Sequence, residues 1–135
     1  ATVFIGLLDP QDGKLSYINA GHERPLLIGG SESRPRELQS NGIAIGVMPD
    51  MEFSVGEIML EHGDLLFAFT DGVPDVTDVD ENLFGKEKLF GMLVNDAGFV
   101  SDLVGDINTA LTTHIGEAKQ FDDITMMAIK RLKEK

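Results

Sequence analysis

The order of apolar and polar positions predicts strands in the first half of the chain and helices in the second. Residues 2–8 are apolar and rich in strand-forming types, and residues 14–20 alternate in the manner of a half-buried strand. Between them, residues 9–13 carry Pro and Gly in a turn sequence. These segments predict a β-hairpin.

Shorter segments follow the hairpin. Strands are predicted over residues 25–28 and 53–60, the second as a strand pair or a bulged strand around Gly56. The polar run at 31–36 predicts a surface loop, and the glycine-rich segment at 42–46 predicts a tight extended stretch rather than a helix.

The second half combines a buried strand with two amphipathic segments. Residues 65–70 are apolar at consecutive positions, which predicts a central strand covered on both faces. Apolar residues at helical spacing predict helices over 86–95 and 101–115, and residues 124–129 predict a closing strand. The expected fold class is α+β, with two helices packed on a mostly antiparallel β-sheet in one domain.

Composition and charge exclude several classes of function. The 135 residues include 23 acidic and 11 basic side chains, for a net charge of −12, which opposes binding to nucleic acid and anionic lipid. Four basic residues near the end are expected only to solvate a tail: Lys130, Arg131, Lys133 and Lys135. The sequence shows neither a membrane-spanning apolar run nor a secretory leader, so a cytoplasmic location without membrane insertion is expected. With no cysteine, the chain has no thiolate nucleophile.

Acidic residues flank the two most apolar strands. Asp71 and Gly72 follow the strand at 65–70, whereas Asp122 and Asp123 precede the strand at 124–129. If the two strands are antiparallel neighbours, the three carboxylates gather at one edge, where a divalent cation relieves their mutual repulsion. Oxygen ligands favour Mg²⁺ or Mn²⁺. The spacing also fits ordinary turns with solvated carboxylates, so the residues alone leave both interpretations open.

Three motifs in order resemble the SpoIIE-like and RsbU-like phosphatases of the PPM (PP2C) family. They are Asn19-Ala20-Gly21-His22, Thr70-Asp71-Gly72-Val73 and Asp122-Asp123-Ile124-Thr125. The glycine-rich segment at 42–46 agrees with the same family. The resemblance covers nearly the whole chain and implies a PP2C-like layered fold and a metal-dependent serine/threonine phosphoprotein phosphatase.

The resemblance also implies roles for individual residues. Asp71 and Asp122 resemble direct or water-mediated ligands of a two-metal centre holding Mn²⁺ or Mg²⁺. Gly72 leaves room beside the centre, and Asp123 is a weaker ligand candidate because relatives can carry asparagine there. The motif residues Asn19, Gly21 and His22 are expected to support the substrate or the adjoining loop. His22 is expected to hold the Gly21 loop by hydrogen bonds, and the alternative is that it orients a metal-bound water or phosphate. The implied substrate is a phosphoprotein, such as an anti-sigma-factor antagonist.

One departure from the family pattern affects these expectations. Members resembling this chain carry a further metal-binding aspartate in a Gly-Asp-x-x-Gly-His-Gly-like segment upstream of the position of Ala1. We therefore expect residues 1–135 to be the C-terminal part of a phosphatase domain, lacking N-terminal strands and a helix. We expect an incomplete metal centre, little activity and self-association through an open sheet edge. The alternative is a non-catalytic phosphatase-like module that binds a regulatory partner protein.

Overall fold

The computed structural model describes residues 1–29, 34–95 and 98–132. Within these ranges the strands and helices follow the predicted order. Their bounds are β1 (Val3–Leu8), β2 (Lys14–Ala20), β3 (Leu26–Ile28), β4 (Arg36–Glu37), β5 (Gly56–Met59), β6 (Leu65–Phe69), α1 (Lys86–Val94), α2 (Val100–Ile115) and β7 (Met126–Lys130). Residues 31–33 of the predicted surface loop lie outside the described ranges, as do Lys133 and Lys135.

The strands form two antiparallel sheets. One has the strand order β1-β2-β5, and the other has the order β4-β3-β6-β7. The predicted hairpin is confirmed, because β1 and β2 pair in register from Val3 with Ala20 to Leu8 with Leu15. The segment at 53–60 forms the single strand β5, which pairs with β2.

Apolar side chains join the sheets and helices into three layers. Between the two sheets, Leu15 and Tyr17 of β2 pack with Leu27 of β3 and Leu66 of β6. On the other face of the four-stranded sheet, the alternate strand residues pack against α1 and α2 in a larger core. The four-stranded sheet is therefore the middle layer, which confirms the predicted α+β architecture of helices on an antiparallel sheet.

Strand β6 is the buried centre of the molecule. All five of its residues are buried, and it pairs with β3 on one side and β7 on the other. Leu65, Phe67 and Phe69 belong to the core beneath the helices, whereas Leu66 belongs to the core between the sheets. The consecutive apolar residues thus reflect a strand covered on both faces.

Both predicted helices are present with small shifts at their ends. Helix α1 buries Leu89, Phe90 and Leu93. Helix α2 begins at Val100, one residue before the predicted start, and Asp102 lies in its first turn, where a carboxylate favours the helix dipole. No helix of the described ranges has the length and apolar character needed to cross a membrane.

Two local predictions need correction. The segment at 42–46 is not continuously extended, because Gly42 forms an isolated bridge to Ala20 and Ile45 begins a turn. Neither Lys130 nor Arg131 is part of a solvating tail. Lys130 is the last residue of β7, and its ammonium donates to the Gly98 carbonyl at 3.1 Å. Arg131 follows it directly. Its guanidinium donates hydrogen bonds to the carbonyls of Gln11, Asp12 and Leu60, at 2.9, 2.7 and 2.7 Å. It therefore ties the β1–β2 turn to the residue that follows β5.

Candidate active site

The acidic motifs meet where β6 ends and β7 begins. Phe69 pairs with Met126 at the last position of the ladder. Beyond it, the Thr70 N–H donates to the Thr125 carbonyl at 3.1 Å, and the Thr70 hydroxyl donates to the Asp123 carbonyl at 3.2 Å. Asp71 therefore leaves the sheet beside Asp123.

Gly72 brings the two segments into direct backbone contact. A Cβ at this position would overlap the Asp123 carbonyl oxygen, and it would lie 3.1 Å from the Asp123 carbonyl carbon and 3.7 Å from the Asp122 Cβ. Given the 3.8 Å spacing of consecutive Cα atoms, the Asp71 Cα lies within about 9 Å of the Asp122 Cβ. The glycine is needed here for close approach of two backbone segments.

The carboxylates at this edge are exposed and only partly engaged. Asp122 accepts a hydrogen bond from the Asp123 N–H at 2.7 Å. Within the described residues, the carboxylates of Asp71 and Asp123 accept no hydrogen bond. Their oxygen chemistry suits Mn²⁺ or Mg²⁺. The number of donors falls short, because no group of three His, Cys, Asp or Glu side chains in the described ranges is close enough to hold a metal ion.

The Asn19-Ala20-Gly21-His22 motif lies at the adjacent end of β2. Asn19 is fully buried, and its side-chain oxygen accepts the His22 N–H at 2.9 Å. The Asn19 N–H in turn donates to the Asn41 side chain at 2.6 Å. Gly21 has a φ of 71°, and a Cβ there would lie 3.0 Å from the Ala44 nitrogen. Asn19 and Gly21 therefore shape this loop.

The ring of His22 does not hold the loop by hydrogen bonds within the described residues. Its backbone N–H is fixed by Asn19, whereas its imidazole makes no hydrogen bond within the described part of the chain. His22 lines a cleft instead. Within these ranges, His22 is held by the loop rather than holding it.

That cleft joins two of the three motifs. It has a volume of about 300 Å³, and Gly21, His22 and Arg24 line it together with Thr70 and Asp71. Sequence reasoning did not single out Arg24, although it lies two residues after the motif histidine. A second cleft of about 240 Å³ lies beside Gly72 and Asp122. Residues of the acidic edge therefore line two clefts.

The acidic loop at residues 78–82 has a structural role. The Asp78 carboxylate accepts hydrogen bonds from the Asp80 N–H and from the backbone and side chain of Asn82, at 2.9 to 3.2 Å. The Asn82 side chain is the main reason that the pKa of Asp78 lies below its usual value. Asp78 is thus engaged in closing its own loop.

The layered fold is that of PP2C-type phosphatase domains. The SiaA-PP2C domain of Pseudomonas aeruginosa superposes with a TM-score of 0.81 at 23% identity, over 96% of this chain and 51% of that one. The RsbU and RsbW domains of Rv1364c from Mycobacterium tuberculosis match with a TM-score of 0.78 at 26% identity, over 97% of this chain and 36% of that one.

The chain belongs to the SpoIIE family, because the family model described as Stage II sporulation protein E (SpoIIE) matches residues 1–132. Protein IcfG of Synechocystis is 39% identical over 131 residues, which are 97% of this chain and 20% of that protein. The phosphoserine phosphatase RsbU of Bacillus subtilis is 23% identical over 132 residues, or 96% of this chain and 38% of that protein. The chain thus spans about a fifth of the first relative.

Proposed function

We propose that this chain forms part of a metal-dependent phosphatase that hydrolyses phosphoserine or phosphothreonine in a regulatory protein. One observation supports the proposal: in a member of the SpoIIE family, Thr70 and Gly72, which flank Asp71, contact the Asp122–Asp123 segment where β6 ends and β7 begins. The name of the related phosphoserine phosphatase RsbU supports the reaction class. An anti-sigma-factor antagonist is the proposed substrate, and a cytoplasmic location rests on the sequence alone.

Asp71 and Asp122 would be the principal ligands of Mn²⁺ or Mg²⁺, with Asp123 as an additional acceptor. Two such cations, if bound, would supply an activated water as nucleophile and would neutralise the phosphoryl oxygens. The chain's own contribution is to hold the carboxylates at adjoining strand ends. The buried Asn19 and the left-handed Gly21 would shape the neighbouring wall of the cleft.

The 135 residues taken alone are expected to hydrolyse phosphomonoesters weakly. The reason is structural: the described residues gather fewer than three ligands for a metal ion. Further donors would have to come from other parts of a polypeptide that carries this chain. Robust Mn²⁺-dependent hydrolysis of p-nitrophenyl phosphate by these 135 residues would contradict this expectation.

The test of the reaction uses the natural polypeptide that carries these residues. We expect Mn²⁺-dependent release of phosphate from a phosphoserine protein, and we expect Asp71→Asn to reduce kcat/KM by about 100-fold or more through loss of transition-state stabilisation. Asp106→Asn is the matched control, because Asp106 is exposed on α2. Binding of a phosphoprotein without any turnover would replace this proposal with a non-catalytic binding module.

A further inference from the structure

The cleft between the Asn19 motif and Asp71 has a cationic residue in its wall. Arg24 lines it together with Gly21, His22 and Glu23 of its own loop, and Thr70 and Asp71 line the same cleft. Arginine is the side chain best suited to oxygen-rich anions, because its planar guanidinium presents five N–H donors in a fixed fork. An arginine in the same cleft as Asp71 is therefore a candidate for binding an anion there.

Contacts with three different elements hold the loop that carries Arg24. The His22 N–H is bound by the Asn19 side chain at 2.9 Å. Glu23 forms an ion pair with Lys86 at the start of α1, with 2.6 Å between its Oε1 and the Lys86 Nζ. Arg24 donates to Glu37 of β4 at 3.1 Å. Successive residues are thus fixed by β2, α1 and β4, and the wall of the cleft is preorganised.

The guanidinium of Arg24 keeps donors available for a ligand. Only its Nη1 is engaged within the described residues, in the bond to Glu37, and 46% of the side chain is exposed. Glu37 can accept one or two of the five N–H groups, so it orients Arg24 and leaves the rest of the fork free. Lys86 compensates the neighbouring Glu23 carboxylate.

The charge of Asp71, which lines the same cleft, determines which anion can enter. Asp71 carries a negative charge and repels an anion unless that charge is neutralised, so this inference rests on the proposed function. With a cation bound at Asp71, the cleft would hold that cation as well as the Arg24 guanidinium. Such a site fits the phosphoryl group of a phosphomonoester, whose oxygens can accept bidentate hydrogen bonds from arginine.

We propose that Arg24 binds the phosphoryl oxygens of the phosphomonoester substrate, and that Glu37 is a positioning residue that orients Arg24. Arg24 would bind the phosphoryl oxygens already in the enzyme–substrate complex, so it contributes to substrate affinity. Because it is half exposed, solvent weakens each of its hydrogen bonds. The interaction is expected to be worth about tenfold in substrate affinity.

The kinetic test compares Arg24→Ala, Arg24→Lys and Arg36→Ala in the natural polypeptide with Mn²⁺. We expect Arg24→Ala to raise KM for p-nitrophenyl phosphate by about tenfold with kcat changed by less than about threefold. Arg24→Lys keeps the positive charge but loses the planar guanidinium, so its KM should lie between those of the wild type and Arg24→Ala. Arg36→Ala is the matched control, because adjacent strand residues point to opposite faces of the sheet and Arg36 neighbours Glu37.

Two kinetic results would overturn the proposal. One is an unchanged KM in Arg24→Ala. The other is a rise in KM confined to phosphopeptides with acidic flanking residues, which would show that Arg24 binds the peptide instead. The role of Glu37 is tested by Glu37→Gln, which should raise KM in the wild-type background and add nothing to Arg24→Ala. Additive effects would show that Glu37 does not act through Arg24.

A binding experiment separates this inference from the proposed function. Absence of Mn²⁺-dependent turnover in the wild-type polypeptide would refute the phosphatase proposal. The arginine site is then tested by titrating inorganic phosphate with Mg²⁺ into the ¹⁵N-labelled natural polypeptide that carries these residues. We expect shifts of the Gly21–Arg24 amides that disappear in Arg24→Ala and persist in Arg36→Ala. Shifts that survive in Arg24→Ala, or no shifts at all, would overturn the site.

Discussion

Gly72→Ala tests the backbone contact that joins the two acidic segments. The added methyl group would overlap the Asp123 carbonyl oxygen and lie 3.1 Å from its carbon. Neither atom is the end of a flexible side chain, and the Asp123 carbonyl is also bound by the Thr70 hydroxyl. The methyl group can therefore be accommodated only by moving the strand ends apart.

The size of the effect follows from the cost of overpacking. Inserted methyl groups in packed sites cost about 1 to 3 kcal/mol, and a backbone obstacle places Gly72→Ala in the upper part of that range. We expect a loss of about 2 to 3 kcal/mol in the free energy of unfolding. For a chain of this length, that loss lowers Tm by roughly 6 to 12 °C.

The assay is urea and thermal unfolding followed by circular dichroism, with Gly91→Ala as the matched control. A Cβ at Gly91 meets no atom within 4 Å, and the residue lies inside α1. The control is expected to be more stable than wild type by about 0.5 to 1 kcal/mol, because alanine is the better helix former. If Gly72→Ala unfolds within about 0.5 kcal/mol of wild type, well below the overpacking range, the inferred contact is wrong.

Three further predictions concern other parts of the molecule. Arg131→Lys should lower the free energy of unfolding in urea by about 2 kcal/mol, because lysine cannot reach three carbonyls with one planar group; a loss below about 0.5 kcal/mol would argue against the clamp. The lowered pKa of Asp78 means that its contribution to stability is present above the usual carboxyl pKa and disappears as the pH falls through the lowered value. An NMR titration should therefore show this pKa returning toward normal in Asn82→Ala, and an unchanged value would refute the assignment. Leu7 is 77% exposed on β1, the terminal strand of its sheet. Leu7→Lys should therefore reduce self-association measured by sedimentation velocity. A wild-type chain that is monomeric at high concentration would contradict association through this sheet edge.

Local sequence patterns predicted the elements whose burial leaves a clear periodicity. The consecutive apolar residues at 65–69 identified β6 because a strand covered on both faces has no polar positions. The hairpin of β1 and β2 was predictable because turn chemistry and alternation agree. The adjoining positions of Asp71 and Asp122 followed from the antiparallel pairing of β6 with β7.

Long-range pairing could not be predicted in the same way. The division into two sheets depends on β5 joining β2 across more than thirty residues, which no local pattern encodes. Arg131 resembled part of a charged tail because the carbonyls that it binds belong to residues 11, 12 and 60. Arg24 was missed for a similar reason, since the cleft exists only when the loop after β2 meets the end of β6.

Binding of Mn²⁺ to the natural polypeptide, measured by electron paramagnetic resonance, tests the central claim most directly. If Asp71 and Asp122 share a cation at the adjoining ends of β6 and β7, Asp71→Asn and Asp122→Asn should each weaken Mn²⁺ binding by about tenfold or more. Asp106→Asn should bind like wild type. Wild-type affinity in both site variants would contradict a metal centre at this edge of the sheet.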